Sequence, residues 1–267
     1  MSAYTDDEST YTDDESTYTD DESDQEIDLT VPKCPHARKR PSPKTYGQMI
    51  TVVVGKGKRQ RSFQVYEGLL TYWSSYFRAA LSPAWKEANS NIIELPEDSA
   101  KVFEAFFHWL FTERLEREGT SLSSRLICKL YVFSDARGIP ELGNAAIDLL
   151  FQKTASDWIF PAEDIGYIYR NTRSASGLRK FIQDDSVCID WAESMEEGEK
   201  YPPAEFFADI LARVSQGTLV IPSFERRPTD EEHIENLRKK LCEYHEHPDT
   251  SADTERSRSA SVTESEE

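Results

Sequence analysis

Apolar positions along this 267-residue chain change their period several times, and each change marks an element. Met49-Ile-Thr-Val-Val-Val54 is a β-branched run closed by Gly55-Lys-Gly57. Arg61-Ser-Phe63-Gln-Val65 then alternates with a period of two, placing Phe63 and Val65 on one face. Together the two runs predict a β-hairpin. From Glu67 the period lengthens. Leu69, Leu70, Trp73, Tyr76, Phe77, Ala80 and Leu81 form a single stripe of one amphipathic helix. Ile92-Ile-Glu-Leu95 reads as a short strand, and Pro96, Glu97 and Asp98 suit a helix start, where carboxylates meet the positive end of the helix dipole. The helix that follows is expected to bury Val102, Phe103, Phe106, Phe107, Leu110 and Phe111. A further helix over 122–136 turns Leu126, Leu130 and Phe133 inward and stops at Gly138. Pro140 opens the next, with Leu142, Ala146, Leu149 and Leu150 on its inner face. Strands come first and helices dominate afterwards, an α+β order. One core holding Leu70, Phe77, Phe103, Phe107 and Leu130 is expected.

The flanks have a different character. Residues 4–23 repeat a seven-residue unit, Tyr-Thr-Asp-Asp-Glu-Ser-Thr, with one aromatic and no aliphatic side chain per unit. No coiled-coil seam can form from that pattern, and three acids per unit make the chain repel itself. Residues 1–29 carry twelve acidic side chains and no basic ones, whereas 33–44 carry five basic ones and no acidic ones. Pro32, Pro35, Pro41 and Pro43 keep 31–45 extended and irregular. The expected organisation is therefore a disordered arm and linker over 1–45, a folded domain over 46–151, a helical extension over 152–247 and a disordered tail over 248–267. In the extension, Ile165, Ile168 and Tyr169, then Leu178, Phe181 and Ile182, then Phe206, Phe207, Ile210, Leu211 and Val214 mark three helical stripes. Thr229-x-x-Glu232 is a capping box that opens a charged helix.

The formal net charge of −18 repels phosphate backbones, so nucleic acid is not an expected partner. Four widely spaced cysteines without a CxxC pair argue for a reducing compartment. No apolar window is long enough to span a membrane. The expected location is intracellular, in the cytoplasm or the nucleus, with no membrane contact.

The segment Phe63-Gln-Val65-Tyr-Glu-Gly-Leu69-Leu70-Thr-Tyr-Trp-Ser74-Ser-Tyr76-Phe77, with Leu81 beyond it, resembles the BTB/POZ signature. Ile93-Glu-Leu95 with Phe103, Phe106 and Phe107 looks like that family's short strand and third helix. Leu130-Tyr-Val-Phe-Ser-Asp-Ala-Arg-Gly138-Ile-Pro-Glu-Leu142 looks like its following helix pair. Departures are Tyr66 where the family has histidine, Gln48-Met49 where an acidic residue precedes the first strand, and Phe111-Thr-Glu113 where the family has Tyr-Thr-Gly. Farther on, Ile168-Tyr-Arg-Asn171-Thr172, Ser176-Gly-Leu178-Arg179 and Tyr201-Pro-Pro-Ala-Glu-Phe206-Phe207 are similar to the helical tail of BTB proteins abundant in filamentous fungi. The resemblance implies a small three-stranded sheet packed on a helical cluster. It also implies a protein–protein interaction module acting as adaptor or scaffold. A cullin scaffold for ubiquitin ligation is one implied partner, and Trp85-Lys86-Glu87 stands where cullin-recruiting members carry a hydrophobic residue, any residue, then glutamate. Self-association is expected to be weak, because the proline-rich linker occupies the place of the extra helix and strand that other members swap. The alternative function is a nuclear regulator of transcription.

Candidate chemistry is sparse. Gly55-Lys-Gly57 leads into a strand rather than a helix, so its amides do not converge on a phosphate. Cys34-Pro-His36 and His245-Glu-His247 each offer two metal ligands, short of the four a structural zinc needs, and no metal or other cofactor is expected. No Gly-x-Ser-x-Gly is present, no cysteine has a plausible base beside it in sequence, and His108 is expected to pack; an enzyme is not expected. Arg38-Lys39-Arg40 has the composition of a nuclear import signal. Thr5, Thr12 and Thr19, each with glutamate three residues on, are candidate phosphorylation sites, as is Ser42.

Overall fold

A computed structural model describes residues 30–82, 91–189, 202–223 and 226–247. The hairpin forms as β1 (Met49–Val54) and β2 (Arg61–Tyr66), antiparallel with Met49 opposite Tyr66 and Val54 opposite Arg61. Gly55 takes a φ of +84° to turn the chain out of β1. The third strand, β3 (Ile92–Leu95), runs parallel to β1 on its other side, giving the order β2-β1-β3. Alternation decides which face is covered. Ile50, Val52, Val54, Val65, Ile93 and Leu95 are buried, while Ile92 and Glu94 point to solvent.

Helices cover that face. The single helix expected over 67–81 is two, α1 (Glu67–Trp73) and α2 (Ser75–Ala80), broken at Ser74 in extended geometry. The buried Ser74 hydroxyl donates to the Arg137 carbonyl at 2.6 Å and accepts from the Phe77 amide at 3.1 Å. It thus caps α2 and ties the break to a distant helix end. The helix α1 starts against the chain that precedes the sheet: a Cβ on Gly68 would lie 1.9 Å from the Thr45 carbonyl oxygen. Next comes α3 (Ala100–Thr112), which buries Val102, Phe103, Phe106, Trp109 and Leu110. Phe107 and Phe111, expected in the core, are only partly buried. The arc reaching the core is narrower than the apolar stripe, and these two rings pack beside Phe63 and Tyr66 of β2.

The helices α4 (Ser124–Arg137) and α5 (Pro140–Asp157) follow as a pair. Gly138 between them has a φ of +57°, and a Cβ there would meet the Ser75 hydroxyl at 2.0 Å. Asp98 and Arg137, both mostly covered, pair across the start of α3 and the end of α4.

The extension consists of α6 (Ile165–Asn171), α7 (Gly177–Asp185), α8 (Ala204–Ser215) and α9 (Asp230–Lys240). The capping box of α9 forms in both directions, at 3.0 and 3.2 Å. One contiguous cluster of buried apolar residues runs from Ile50 in the sheet to Tyr244 beyond α9. The helix α5 is shared by both regions, packing with α4 and with α7 and α9.

Residues 30–45, expected as an unstructured linker, lie along the fold. Val31 packs against the core, and Pro41 is buried. The Arg38 guanidinium sits 4.5 Å over the Tyr72 ring and 3.5 Å from the Glu141 carboxylate, and the Tyr72 hydroxyl donates to the Lys39 carbonyl at 2.6 Å. The prolines hold the segment extended, so it can follow the surface at little ordering cost, and the arginines supply the attachment.

Candidate functional site

A protein that works by presenting surfaces needs side chains held outward on a rigid frame. In the extension that frame is built around a buried cation. Arg179 on α7 is 4 % exposed, and donates to the carbonyls of Tyr169 and Thr172 at 2.6 and 2.7 Å and to Glu205 on α8 at 2.6 Å. Its guanidinium also lies 4.1 Å over the Tyr169 ring. One planar, multiply donating group therefore fixes α6, α7 and α8 relative to one another. Asp184 does the same for α8 and α9, accepting from Arg213 at 2.7 Å and Lys240 at 2.8 Å.

With α8 held so, Phe206 and Ile210 point inward while Leu211 and Val214 point out, Leu211 at 64 % exposure. Val220 and Ile221 just beyond the helix are exposed as well, at 75 % and 51 %. A second apolar outward pair is Met49 and Ile92, at the start of β1 and on β3. These are individually exposed apolar residues on a helix and on the loop after it.

The sequence-predicted positions fall in several places. Trp85 and Glu87 lie outside the described residues, between α2 and β3, and Thr5, Thr12 and Thr19 also lie outside them. Ser42 is exposed and starts a 3-10 turn over Pro43–Thr45, its hydroxyl accepting from the Lys44 amide at 3.4 Å. Arg38 is engaged as described above. Arg40 donates to the Phe111 carbonyl and lies 3.6 Å from Glu113, while Lys39 is exposed. His108 is partly buried on α3 with its ring nitrogen 3.4 Å from the Thr112 hydroxyl.

Two groupings were invisible in the sequence because their members are far apart along it. At the end of α7, Cys188 lies 3.1 Å from Nδ1 of His233 on α9, and Nε2 of that ring lies 3.1 Å from the Asp185 carboxylate. Thr154 on α5 donates to the other Asp185 oxygen at 3.2 Å. Burial alone would lower the pKa of His233, but the bonds to Asp185 and Cys188 outweigh it and raise the value to about 9. Burial pushes the Asp185 carboxyl up. At neutral pH both ring nitrogens of His233 are therefore donors. The ring is a charged clamp between α9 and the end of α7. A cavity of about 1030 Å³, lined by Cys188, Leu219, Ile221, Pro228, His233 and Leu237 among others, opens beside it.

The second grouping joins the two sequence pairs Cys34-x-His36 and His245-x-His247. Cys34 and Cys242 face each other with sulfurs 3.8 Å apart, and the His247 ring reaches both. These three are residues that can hold a metal.

Compared with known families, residues 45–132 match the sequence model of the BTB/POZ domain. The match spans the sheet, α1 to α3 and the first part of α4. No curated protein matches the chain.

Proposed function

From a chain that carries a BTB/POZ domain at residues 45–132, and is by that domain a protein–protein interaction module, we propose a non-enzymatic adaptor or scaffold. The observation that carries the reading is the coincidence of the match with a closed sheet-and-helix core. That core is extended by helices whose charged groups are spent on holding the frame. The enzyme reading has its best support in Cys188, His233 and Asp185, a thiol, an imidazole and a carboxylate in successive contact.

Within the adaptor reading, the partner of choice is a cullin scaffold. Trp85-Lys86-Glu87 falls between α2 and β3, the place the family resemblance assigns to cullin recruitment. An exposed aromatic can anchor in an apolar pocket while a nearby carboxylate orients it. The test is capture of purified cullin by the full chain, by Trp85→Ala and by Glu87→Lys, with circular dichroism showing that both variants are folded. The expected outcome is capture by the wild type and loss of at least about tenfold, or 1.4 kcal/mol, in each variant. A wild type that captures no cullin at micromolar concentration removes the cullin mechanism and leaves a scaffold for another protein. The rival, a nuclear regulator imported through Arg38-Lys39-Arg40, requires Arg38 and Arg40 to leave Glu141 and Glu113 before a receptor can read them. Localisation of a tagged chain separates the two readings.

A further inference from the structure

The N-terminal segment and the last turn of the fold meet in a cluster of thiols and imidazoles. Cys34 Sγ is 3.8 Å from Cys242 Sγ and 3.9 Å from His247 Nδ1, and Cys242 Sγ is 3.3 Å from His247 Nε2. Both cysteines are free. Next to them the His245 side chain is 1 % exposed. Its Nε2 is held by Asp148 on α5 at 2.9 Å, and its Nδ1 is buried with no hydrogen-bond partner.

We propose that Cys34, Cys242 and His247 hold a zinc ion that fastens the segment 30–45 to the 3-10 turn Leu241–Glu243, with the buried Nδ1 of the neighbouring His245 as the candidate fourth donor. Four arguments converge. Sulfurs bound to zinc at the tetrahedral angle stand about 3.8 Å apart, and a sulfur and an imidazole nitrogen about 3.6 Å. The two sulfurs stand at that separation, 3.8 Å, and Nε2 of His247 lies 3.3 Å from Cys242, whereas a disulfide needs sulfurs about 2.05 Å apart. The donor set, two thiols and two imidazoles, is one that selects zinc over calcium or magnesium. The orphaned Nδ1 of His245 acquires its missing partner as a ligand. Asp148 on its opposite nitrogen is the carboxylate that such a ligand ordinarily carries behind it.

The site is braced as a ligand cradle would be. Asn144 on α5 donates to the Glu246 carbonyl at 2.9 Å and accepts from the Glu246 amide at 2.8 Å, so the backbone between His245 and His247 is fixed from α5. His36 packs against the His247 ring in a tilted arrangement, 4.5 Å between centroids. Binding would release the two thiol protons to solvent and add no net charge to the cluster. Because Cys34 and Cys242 are 208 positions apart, the metal would close a long loop. The basic segment 38–40 and its contacts on α1 and α5 would then be fixed by a metal staple.

The full chain, purified reduced with zinc present, is the material for the test. Expected is one zinc per chain by elemental analysis, falling at least tenfold in Cys34→Ser and in Cys242→Ser, with Cys128→Ser as the unaffected control. Replacing zinc by cobalt should give the intense visible absorption of a tetrahedral ion together with sulfur-to-cobalt charge-transfer bands. That readout needs no variant and so survives a variant that fails to fold. A reduced chain that holds less than a tenth of an equivalent of either metal overturns the site. So does an intact mass showing a Cys34–Cys242 disulfide in place of metal, or zinc retained undiminished by both serine variants.

Discussion

Two neighbouring phenylalanines on α3 distinguish a core position from a rim position. Phe106 is fully buried, and four aromatic rings surround it: Phe103 and Phe133 at 5.4 and 5.3 Å, Trp109 and Phe77 at 6.3 and 6.4 Å. Removing that ring loses its whole transfer free energy and leaves a cavity whose walls are stiff side chains that cannot collapse inward. The general cost of Phe→Ala in a core is about 3–5 kcal/mol, and the aromatic surround places Phe106→Ala at the upper end. Phe107 is only partly buried and touches Phe63 and Phe111 at 5.6 and 5.0 Å. Fully burying such a side chain is worth about 1.5–3 kcal/mol, and about half of that, with no closed cavity, gives Phe107→Ala about 1–2 kcal/mol. Urea unfolding followed by tryptophan fluorescence measures both, read from midpoints at constant slope. Equal losses in the two variants would refute the assignment of α3's inner face, and so would a Phe106→Ala loss below about 2 kcal/mol.

The clamp at His233 carries a pH signature. Its folded pKa of about 9 lies above the ordinary value, so its contribution is fully present below pH 6.5 and is lost as pH rises through 9. Between pH 7 and 10 the wild-type melting midpoint should fall by more than that of His233→Gln; parallel profiles would dismiss the clamp. Arg179→Met should destabilise by about 3 kcal/mol or more, since it strips two buried carbonyls of their donor and unties α8. Limited proteolysis should then cut first around α8, and an unchanged digestion pattern would show that α8 is held otherwise. Gly68→Ala forces a methyl against the Thr45 carbonyl and should cost about 1–3 kcal/mol by urea unfolding. The control is Gly166→Ala, where only the end of the Arg170 side chain is near and the helix should gain up to about 1 kcal/mol; equal effects at the two glycines would dismiss the close approach. A fragment ending at residue 151 should expose the faces of Ile147, Leu150 and Phe151 and aggregate, whereas one ending at 247 should remain monodisperse by sedimentation.

Where structure is decided by neighbours in sequence, the sequence was readable. The alternation in β2, the glycines after β1, the stripe of α4 closed by Gly138 and the capping box of α9 are local devices, and each forms where its pattern stands. The BTB/POZ resemblance was legible for the same reason, since its motifs are compact and ordered along 63–142. Contacts between distant residues were not legible. The break at Ser74 depends on a carbonyl 63 positions later, and nothing in the α1 stripe announces it. The apolar stripe through Phe106, Phe107, Leu110 and Phe111 does not say how wide the buried arc is; β2 decides that by lying beside Phe107. Cys188 and His233, 45 residues apart, and Cys34 and Cys242, 208 apart, look like isolated residues until the fold closes. The local hint was that Cys34-Pro-His36 and His245-Glu-His247 each offered two ligand-type side chains.

The matched family region ends in α4, yet nothing physical ends there. Ile147, Leu150 and Phe151 of α5 are fully or almost fully buried, and α5 meets α7 and α9 as well as α4. A helix packed by elements of both regions cannot be the edge of an independent unit, because removing either set of neighbours exposes apolar surface. The extension is thus continuous with the interaction domain, and its outward residues on α8 stand at fixed distances from the sheet. The N-terminal segment obeys the same logic. With Arg38 against Tyr72 and Glu141, and Cys34 against Cys242, it bridges α1 of the matched domain to the turn after α9, so the two ends of the folded region reinforce a single frame.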